Sequence, residues 1–563
     1  MSENAFMDAK EKTIAQILND NEKLVIPIFQ RDYSWKEDNW KQLWVDIKSG
    51  FIDQRYHYMG SIVLVENNSV NEIVDGQQRI TTLSMLYLAI IKNFLLLIDK
   101  NINKEDNLKR VEDIRNNVVH KRDLYNLNKV ENKLVLNETN NPIYENYLVN
   151  NKEDEIPEVD SDSNGLMIKC YKYYVDQIRK VCTNEHDDFP DEEKLLNYYT
   201  YISQKILFIQ ITVTDYSNAY TIFETLNDRG LDLTVTDLLK NYIFSLLSKE
   251  EHKEAQRLWK QICDNVGEKN LTKYVRHYWN SCHKKVTERD LFRSIKKEVD
   301  NEPNKVKELL NTLEKVSYIY SAISEPDNKR WKNDKKIKNY LNDIKIYKVD
   351  LCYPVILAIE LNITNVELKH KLFKLCSRIS FRYIVICEGG ANDLEGAYNS
   401  LCLKIKEKTN DLDINEEAKT MEKFIVPSET FKLGFKNKVL NTRGNKKLIN
   451  YILEKIEKAM SGCIRDDYTL EHILPESPDD NWKNVFGEEV KQFIYRLGNY
   501  TLLEKKLNND IGNSEYIEKR PLYEQSQSKM TQSIAANVQI WNREELGKRQ
   551  KQMAKIADSI WTW

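Results

Sequence analysis

The chain has 563 residues, of which 41% are hydrophobic and 30% charged, so it is long enough for about three or four domains with substantial cores. Its net charge of −3 at pH 7 excludes a uniformly basic surface for nucleic acid, so any DNA contact must come from local basic faces. Nine scattered cysteines without a CxxC pair exclude zinc ribbons and thioredoxin-like redox chemistry, and they favour reduced thiols in a cytoplasm.

The N-terminal and apolar segments predict a protein without a membrane partner. Residues 1–4 do not show the basic-then-apolar order of a signal peptide. The most apolar run, residues 83–98, is interrupted by Lys92 and Asn93 and is too short to span a bilayer, so it predicts a buried helix. We therefore expect a cytoplasmic protein.

The first distinctive segment combines aromatic and basic side chains. It lies between a short amphipathic helix predicted over residues 11–20 and a helical pattern of large apolar residues over 40–47. Three aromatic residues flank Arg31 in the sequence: Phe29, Tyr33 and Trp35. Either these rings belong to the core, or they stack on a base while Arg31 holds a phosphate.

A strand, a turn and a helix follow. Residues 61–65 and 71–74 have the composition of two strands, and a long helix is predicted from about Ile80. Between the second strand and the helix lies a glycine-containing turn: Asp75, Gly76, Gln77, Gln78 and Arg79. Such a turn can bind an anion, because free N–H groups and the helix dipole face the ligand and Arg79 adds a positive fork. An ordinary strand-to-helix turn is the alternative, and the lack of a GxxxxGK[ST] motif excludes a P-loop enzyme.

The next part of the chain is less regular. Residues 100–165 are charged and asparagine-rich, which predicts an insertion with a mobile acidic loop. Residues 170–207 return to a helical pattern. A further block runs from Ala219 through Asn241, and its pattern predicts a helix, a glycine C-cap at Gly230 and a second, capped helix.

A helical pattern then continues from about residue 246 to 440 and predicts a helical connector. Lysine-rich faces recur in it, for example over residues 335–338. Such faces are usually only solvated, and a connector that also grips the DNA backbone is the alternative.

The last 120 or so residues carry the strongest chemical signal. Residues 468–475 predict a strand that stops at Pro475 with Glu471 and His472 side by side, and residues 497–503 predict a second strand. A lone histidine is usually structural. Phosphodiester cleavage, however, needs a base and a divalent cation, and imidazole, carboxylate and amide groups suit these tasks.

These C-terminal residues resemble the His-Asn-His (HNH, ββα-metal) nuclease core, as found in the C-terminal domain of GmrSD-type modification-dependent restriction endonucleases. The matching segments are Glu471 to Pro475, Leu497 to Asn499, and Leu507 with Asn508. The resemblance implies that His472 is the general base and that Asn499 braces the loop. It also implies that Glu471 and Asn508 bind Mg²⁺ or Mn²⁺. Asparagine stands at the last position, where the motif's name has histidine.

The N-terminal blocks resemble the N-terminal domain of the same family, a ParB/sulfiredoxin-like domain that binds or hydrolyses nucleotides. Matching segments occupy residues 26–35, 60–62, 75–79 and 219–241. The resemblance implies that GTP or ATP binds to a set of nine residues: Arg31, Asp75, Gly76, Gln77, Gln78, Arg79, Asn227, Arg229 and Lys240.

The leading hypothesis is a multidomain, helix-rich α+β protein with three parts. Residues 1–245 would form the nucleotide-binding domain, 246–440 the connector, and 441–563 the nuclease. It would be a nucleotide-dependent endonuclease that cleaves or nicks foreign, modified DNA in defence against phage. A nucleotide-regulated DNA-binding protein with an inert nuclease centre, and a nuclease that acts on RNA or host nucleic acid, remain alternatives. A homo-oligomer is also left open.

Overall fold

The computed structural model describes residues 7–19, 23–67, 70–122, 130–157, 162–214, 218–219, 222 and 234–563. The chain forms two compact units. Unit 1 consists of residues 1–260 and 292–310, and unit 2 of residues 261–291 and 311–563. The three predicted domain ranges stay a prediction, since compactness alone does not show where a functional domain begins or ends.

Unit 1 contains a mixed sheet of six strands, with the order β1-β8-β3-β4-β2-β7. Strand β3 runs parallel to β8 and antiparallel to β4, and β2 runs parallel to both β4 and β7. A separate hairpin is formed by β5 and β6. The strand bounds are β1 Asp8–Thr13, β2 Lys23–Val25, β3 His57–Asn67, β4 Val70–Asp75, β5 His120–Arg122, β6 Val130–Asn132, β7 Leu134–Val135 and β8 Ile206–Val213.

The helices of unit 1, apart from Val235–Leu246, share one apolar core with the sheet residues Ile62, Leu64 and Ile73. Their bounds are Ile14–Asn19, Glu37–Asp53, Gln77–Asp99, Lys104–Val118, Asn141–Ile143, Asp162–Cys182, Glu192–Lys205 and Val235–Leu246, with a π-helical turn at Tyr144–Val149. Three further helices carry the chain between the two units: Lys249–Val266, Glu288–Val299 and Pro303–Ser324.

The helix Gln77–Asp99 is the centre of unit 1. By length and composition it could cross a membrane, but 83% of its apolar stretch is buried inside the structure, as in the core helix of a soluble protein. The predicted buried helix is therefore confirmed, and it begins earlier than the apolar run that indicated it. Successive side chains of β3 point to opposite faces of the sheet. Ile62 and Leu64 therefore belong to the core that the helices share, whereas Val63 and Val65 belong to a smaller apolar cluster.

The helix-rich α+β class is confirmed, and two local predictions differ from the structure. The helix predicted over residues 11–20 is shorter, because β1 continues to Thr13 and pairs with β8. The charged segment 100–165 contains more regular structure than predicted: a helix occupies Lys104–Val118, and β7 extends the main sheet. The predicted mobile acidic loop lies in part outside the described residues, at 158–161, and stays a prediction. The pairing of β7 with β2 is a long-range contact that the composition of the segment does not encode.

Unit 2 is helical apart from one hairpin. Strands β9 (Tyr468–His472) and β10 (Tyr500–Glu504) pair antiparallel. The other bounds are Leu271–Cys282, Lys335–Tyr347, Tyr353–Asn362, Val366–Ile379, Ala391–Lys408, Ile414–Thr420, Ser428–Asn437, Thr442–Ser461, Asp480–Phe486, Lys491–Ile494, Lys505–Ile511, Tyr516–Gln525, Lys529–Asn537 and Arg543–Ile560, with a π-helical turn at Ser380–Ile386.

The β9–β10 hairpin lies between two apolar clusters. Leu502 belongs to a cluster with the helices Thr442–Ser461 and Arg543–Ile560, whereas its neighbour Leu503 belongs to a cluster with Ile473 and Tyr523. Because successive side chains of a strand point to opposite faces, the hairpin contributes to both cores. This arrangement fixes the strand end that carries the candidate nuclease residues.

A buried cation ties the middle helices to the C-terminal helix. Arg382 is 1% exposed. Its Nη1 donates to Asp558 Oδ1 at 2.9 Å and its Nη2 donates to the Val426 carbonyl at 3.1 Å. The guanidinium also lies 4.1 Å from the ring centroid of Phe431. These partners compensate for desolvating the charge.

Replacing Gly60 tests the packing of the turn that precedes the core helix. Gly60 has a φ of +94°, and a Cβ there would overlap Nη1 of Arg79. We expect Gly60→Ala to lose about 1–3 kcal/mol of stability, because both the backbone and Arg79 must shift. Gly165→Ala is the matched control, because its Cβ meets nothing within 4 Å. Calorimetric unfolding of both variants checks this, and equal stability of Gly60→Ala and the parent protein would contradict it.

Candidate functional site

Glu471 and His472 lie at the end of β9, as the sequence predicted. His472 is opposite Tyr500 in the register, and Glu471 is opposite Thr501. Because side chains alternate along a strand, the two candidate residues project to opposite faces of the hairpin.

The imidazole of His472 is enclosed. Its ring packs edge-on against Tyr500, with 4.8 Å between ring centroids. Its Nε2 lies 3.4 Å from Glu476 Oε1, but this contact is not aligned as a hydrogen bond, so Nε2 has no hydrogen-bond partner among the described residues. Burial lowers the pKa of His472 to about 4, although Glu476 opposes the shift. The imidazole is therefore neutral near pH 7, and its low pKa makes it a weaker base than a free histidine.

Glu476 covers Nε2 of His472 from the solvent side. Its side chain is 48% exposed, and its Oε1 accepts a hydrogen bond from Thr442 Oγ1 at 2.6 Å. An exposed side chain of this kind can rotate away at little cost, because water replaces the bond that it loses. Glu476 was not among the residues predicted from the sequence.

Asn499 fastens the segment that follows His472. Its Oδ1 accepts from the Leu474 N–H at 2.9 Å and from Trp541 Nε1 at 3.2 Å. Its Nδ2 donates to the carbonyls of Leu474 at 2.8 Å and Ile494 at 2.9 Å. The side chain is fully buried, so these bonds satisfy its whole amide.

The carboxylate of Glu471 takes part in a buried ion pair. Its Oε1 accepts from Lys519 Nζ at 2.7 Å and from Tyr523 Oη at 2.9 Å. Lys519 also donates to the His472 carbonyl at 2.7 Å. Burial raises the pKa of Glu471, and Lys519 opposes that shift. Lys519 thus links the carboxylate to the backbone of the candidate base.

Asn508 connects the following helix to β9. Its Nδ2 donates to Thr469 Oγ1 at 2.9 Å and to the Leu470 carbonyl at 3.1 Å. Thr469 and Glu471 share one face of the strand, since they are two residues apart. Asn508 therefore approaches the face of β9 that bears Glu471.

The predicted metal ligands do not fit a divalent cation in this arrangement. Lys519 already neutralises the carboxylate of Glu471, and a second positive charge beside it would be repelled. Among the residues that the structure describes, no group of three or more His, Cys, Asp or Glu side chains could hold a metal ion. Mg²⁺ binds through carboxylates, water and substrate phosphates, so one paired carboxylate and one amide are a poor donor set.

The predicted nucleotide turn has the expected shape. Gly76 has a φ of +94° and caps the helix Gln77–Asp99. Arg79 donates from Nη2 to Asp75 Oδ2 at 3.1 Å and from Nη1 to the Met59 carbonyl at 2.8 Å. Its side chain is 15% exposed. The structure thus uses the guanidinium of Arg79 to hold the turn together.

The remaining turn residues surround a small cavity. Gln78 fixes the preceding loop, because its Oε1 accepts from the Ser34 N–H at 2.8 Å and its Nε2 donates to the Asp32 carbonyl at 3.0 Å. Arg31 Nε and Gln77 Oε1 are buried without a hydrogen-bond partner among the described residues. The cavity that both residues line measures about 10 Å³, room for one water molecule.

The other predicted nucleotide residues are less informative. Asn227 and Arg229 lie outside the described residues. Lys240 is half-buried on the helix Val235–Leu246. Its neighbour Asn241 accepts a hydrogen bond from Gln30 Nε2 at 3.4 Å, which connects this helix to the Arg31 loop.

Sequence reasoning missed Lys519 and Tyr523, the two partners of Glu471. They are four residues apart on the helix Tyr516–Gln525, and this spacing places both on one face. A buried carboxylate needs a cation beside it. The four-residue spacing of Lys519 and Tyr523 could therefore have indicated them as partners of Glu471 only if the burial of Glu471 had been known.

Both ends of the chain match known families. Residues 14–244 match the family described as GmrSD restriction endonuclease, N-terminal domain. Residues 426–556 match the family described as GmrSD restriction endonucleases, C-terminal domain. Together the two matches cover more than half of the chain. No curated protein shows significant similarity to it.

Replacing Lys519 tests the buried ion pair. We expect Lys519→Met to lose about 3–5 kcal/mol of stability, because Glu471 is left charged and buried without its cation. Glu471→Gln combined with Lys519→Met should recover much of the loss, since the unpaired charge is then gone. Urea unfolding followed by tryptophan fluorescence measures both variants.

The control for this prediction is Lys483→Met. Lys483 forms an exposed ion pair with Asp480, so its removal should leave stability unchanged. A Lys519→Met variant as stable as this control would show that the buried pair contributes nothing.

Proposed function

Because the chain belongs to the GmrSD restriction endonuclease family, we propose that it cleaves foreign, modified DNA in a nucleotide-dependent reaction that protects against phage. The family makes it a nuclease with DNA as its substrate. The dependence on nucleotide and the recognition of modified bases are the parts that we add. An HNH-type nuclease centre in the C-terminal region and a ParB-like nucleotide module in the N-terminal region are included in the proposal.

The observation that supports the nuclease centre most directly is the state of His472. Its Nε2 is buried and has no hydrogen-bond partner among the described residues, while burial lowers the pKa of the imidazole and so weakens it as a base. Such a nitrogen can take the proton of a water molecule that attacks the phosphorus of a phosphodiester. Glu476 must first move aside, and its exposure permits this.

The surroundings of His472 keep the base in place. Asn499 holds the backbone at Leu474, and Lys519 holds the carbonyl of His472 itself. Fixing a base in one orientation removes the entropy cost of finding it during the reaction. Both are positioning residues in this proposal.

Dependence on Mg²⁺ or Mn²⁺ stays part of the proposal. A bound divalent ion would supply neutralisation of the phosphate charge. We assign it no step, because Lys519 already holds the carboxylate that the resemblance offers as a ligand.

The nucleotide part of the proposal rests on two buried polar atoms that have no hydrogen-bond partner among the described residues. Arg31 and Gln77 line the same small cavity beside the Gly76 turn, and Arg31 Nε and Gln77 Oε1 lack partners among the described residues. A donor and an acceptor of this kind suit a phosphate oxygen and a hydroxyl or base of GTP or ATP. The cavity must widen to admit a nucleotide, since it now has room for one water molecule.

A DNA-binding protein with an inert nuclease centre is the second candidate function. Two observations favour it: Glu476 covers the nitrogen of His472, and Lys519 neutralises Glu471. Such a protein binds DNA or nucleotide but does not cleave. Parallel reactions with unmodified DNA, modified phage DNA and RNA separate it from the endonuclease, and they also expose a nuclease that prefers RNA.

His472→Ala tests the general base. We expect the variant to cut supercoiled plasmid at least about 10²-fold more slowly than the parent protein, because a general base contributes about 10²–10⁴ in rate. Nucleotide hydrolysis, measured as phosphate release, should remain near normal since that turn lies in unit 1. Reactions with Mg²⁺ and with Mn²⁺ are run side by side.

His186→Ala is the control, because His186 is an exposed histidine in unit 1. It should cut plasmid at the parental rate. If His472→Ala cuts as fast as this control, the nuclease assignment of His472 is wrong. If the parent protein cuts no nucleic acid with either ion, the inert-centre function replaces the endonuclease.

Arg31→Ala and Arg79→Ala separate ligand binding from folding. Arg31 has a free buried nitrogen, so its loss should weaken GTP or ATP binding by about 1.5–3 kcal/mol, the range of a charge-assisted hydrogen bond. Arg79 is bonded to Asp75 and Met59, so its loss should mainly lower the melting temperature. Titration calorimetry and thermal melts decide, and unchanged nucleotide affinity of Arg31→Ala contradicts its ligand role.

A further inference from the structure

A polar cavity of about 230 Å³ opens on the surface of unit 2. Three helices form its walls: Lys335–Tyr347, Val366–Ile379 and Thr442–Ser461. Ile560 and Trp561, at the end of the last helix, close one side. All of these elements belong to unit 2, so the cavity does not depend on unit 1.

The cavity is separate from the His472 site. Lys446 lowers the pKa of His472 and therefore lies near it, whereas Lys455 lines the cavity. Both residues are on the helix Thr442–Ser461, and the spacing of nine residues corresponds to about two and a half turns. The two lysines thus project from opposite sides of the helix.

Three cations line the cavity: Lys336, Arg378 and Lys455. None of them forms an ion pair with a carboxylate among the described residues. Neighbouring lysines behave differently, with short ion pairs in Lys338–Asp327, Lys369–Glu360 and Lys371–Glu367. The three cations of the cavity thus form no direct ion pair within the described part of the chain, although the buried carboxylate of Asp343 lies close enough to interact with Lys455 and Arg378.

The cations are held in different ways. Arg378 donates from Nε to the Thr562 carbonyl at 3.1 Å and from Nη2 to the Ile560 carbonyl at 3.3 Å. These bonds fix its plane, and its Nη1 makes no hydrogen bond within the described residues. The ammonium of Lys455 lies 5.1 Å from the ring centroid of Tyr451, and Lys336 is exposed at the rim.

A network of hydrogen bonds connects the buried side chains at the cavity. Asp343 is buried and accepts from Tyr451 Oη at 2.7 Å. Tyr451 in turn lies 3.1 Å from Tyr347 Oη, which accepts from Trp561 Nε1 at 3.2 Å. Burial raises the pKa of Asp343, and Tyr451, Lys455 and Arg378 oppose that shift.

We propose that this cavity binds one phosphate group. Three cations around a small open cavity provide N–H donors on several sides, and a phosphate offers several strong acceptor oxygens. The cavity is smaller than the pockets that enclose whole drug-sized ligands, about 300 Å³ or more, so the rest of the ligand lies outside it. Asn339 and Tyr340 at the rim can contact that outer part.

The phosphate belongs either to the DNA backbone or to a free nucleotide. A backbone phosphate would anchor the substrate away from His472, as phosphate contacts position nucleic acid without reading its sequence. A nucleotide would make the cavity an effector site distinct from the Gly76 turn. Both sources present the same chemistry to the cations.

Lys336→Ala combined with Lys455→Ala tests this proposal, because both side chains can be shortened without breaking a hydrogen bond of the described residues. We measure the binding of three probes to the full chain: a fluorescent DNA duplex by anisotropy, ATP and GTP by calorimetry, and inorganic pyrophosphate by calorimetry. We expect the affinity for at least one probe to fall by about tenfold or more. If DNA is the ligand, the dependence of binding on log salt should also become shallower by about one to two.

The matched control is Lys345→Ala on the same helix, because Lys345 is exposed and does not line the cavity. It should bind all three probes like the parent protein. Loss of DNA affinity alone identifies the backbone as the source, and loss of nucleotide affinity alone identifies an effector site. The proposal is overturned if the double variant binds every probe as the parent does, or if the parent binds none. These experiments measure binding and not cleavage, so a failed phosphate site and a failed nuclease assignment of His472 remain distinguishable.

Discussion

The C-terminal site depends on one side chain, the amide of Asn499. It is fully buried and joins Leu474, Ile494 and Trp541 through four hydrogen bonds. No other side chain offers the same two donors and two acceptor positions at this size, because aspartate has no donor and leucine has neither. The amide and carbonyl of Leu474 would otherwise be buried without partners, at a cost of about 1–3 kcal/mol each. The amide of Asn499 therefore stabilises the turn after His472.

Sequence patterns predicted the elements around the site better than the contacts within it. Strand alternation and Pro475 located β9 and its end, and the aromatic rings of Phe29 and Tyr33 proved to be buried, as the core interpretation required. The partner of Glu471 was out of reach, because Lys519 comes 48 residues later and on a different helix. Its contact is decided by how the helix Tyr516–Gln525 packs, and a local pattern does not encode that packing.

The role of Arg79 shows a similar limit. Its position at a helix start suggested a phosphate ligand, which stays a prediction, and two acceptors of the protein already bind its guanidinium. The missing clue was Gly60, whose lack of a side chain leaves space for that guanidinium. An arginine at a helix start can therefore bind acceptors of the protein itself, a ligand, or both, depending on which acceptors lie within hydrogen-bond distance. By the same reasoning, Lys336, Arg378 and Lys455 are candidates for binding a ligand, because they form no ion pair among the described residues. The whole chain is nevertheless slightly acidic.

The interleaved course of the chain has a consequence for its biosynthesis. Residues 292–310 complete unit 1, where Asn301 accepts a hydrogen bond from Tyr242 Oη at 3.1 Å and Phe292 packs against the same ring. A ribosome makes residues 261–291 of unit 2 before it makes this closing segment. Domains that form during translation usually fold from the N-terminus onward as whole units. Unit 1 cannot fold as a whole unit until residue 310 has been synthesised. Until then the helix Leu271–Cys282 of unit 2 is part of the nascent chain without the residues that it later packs against.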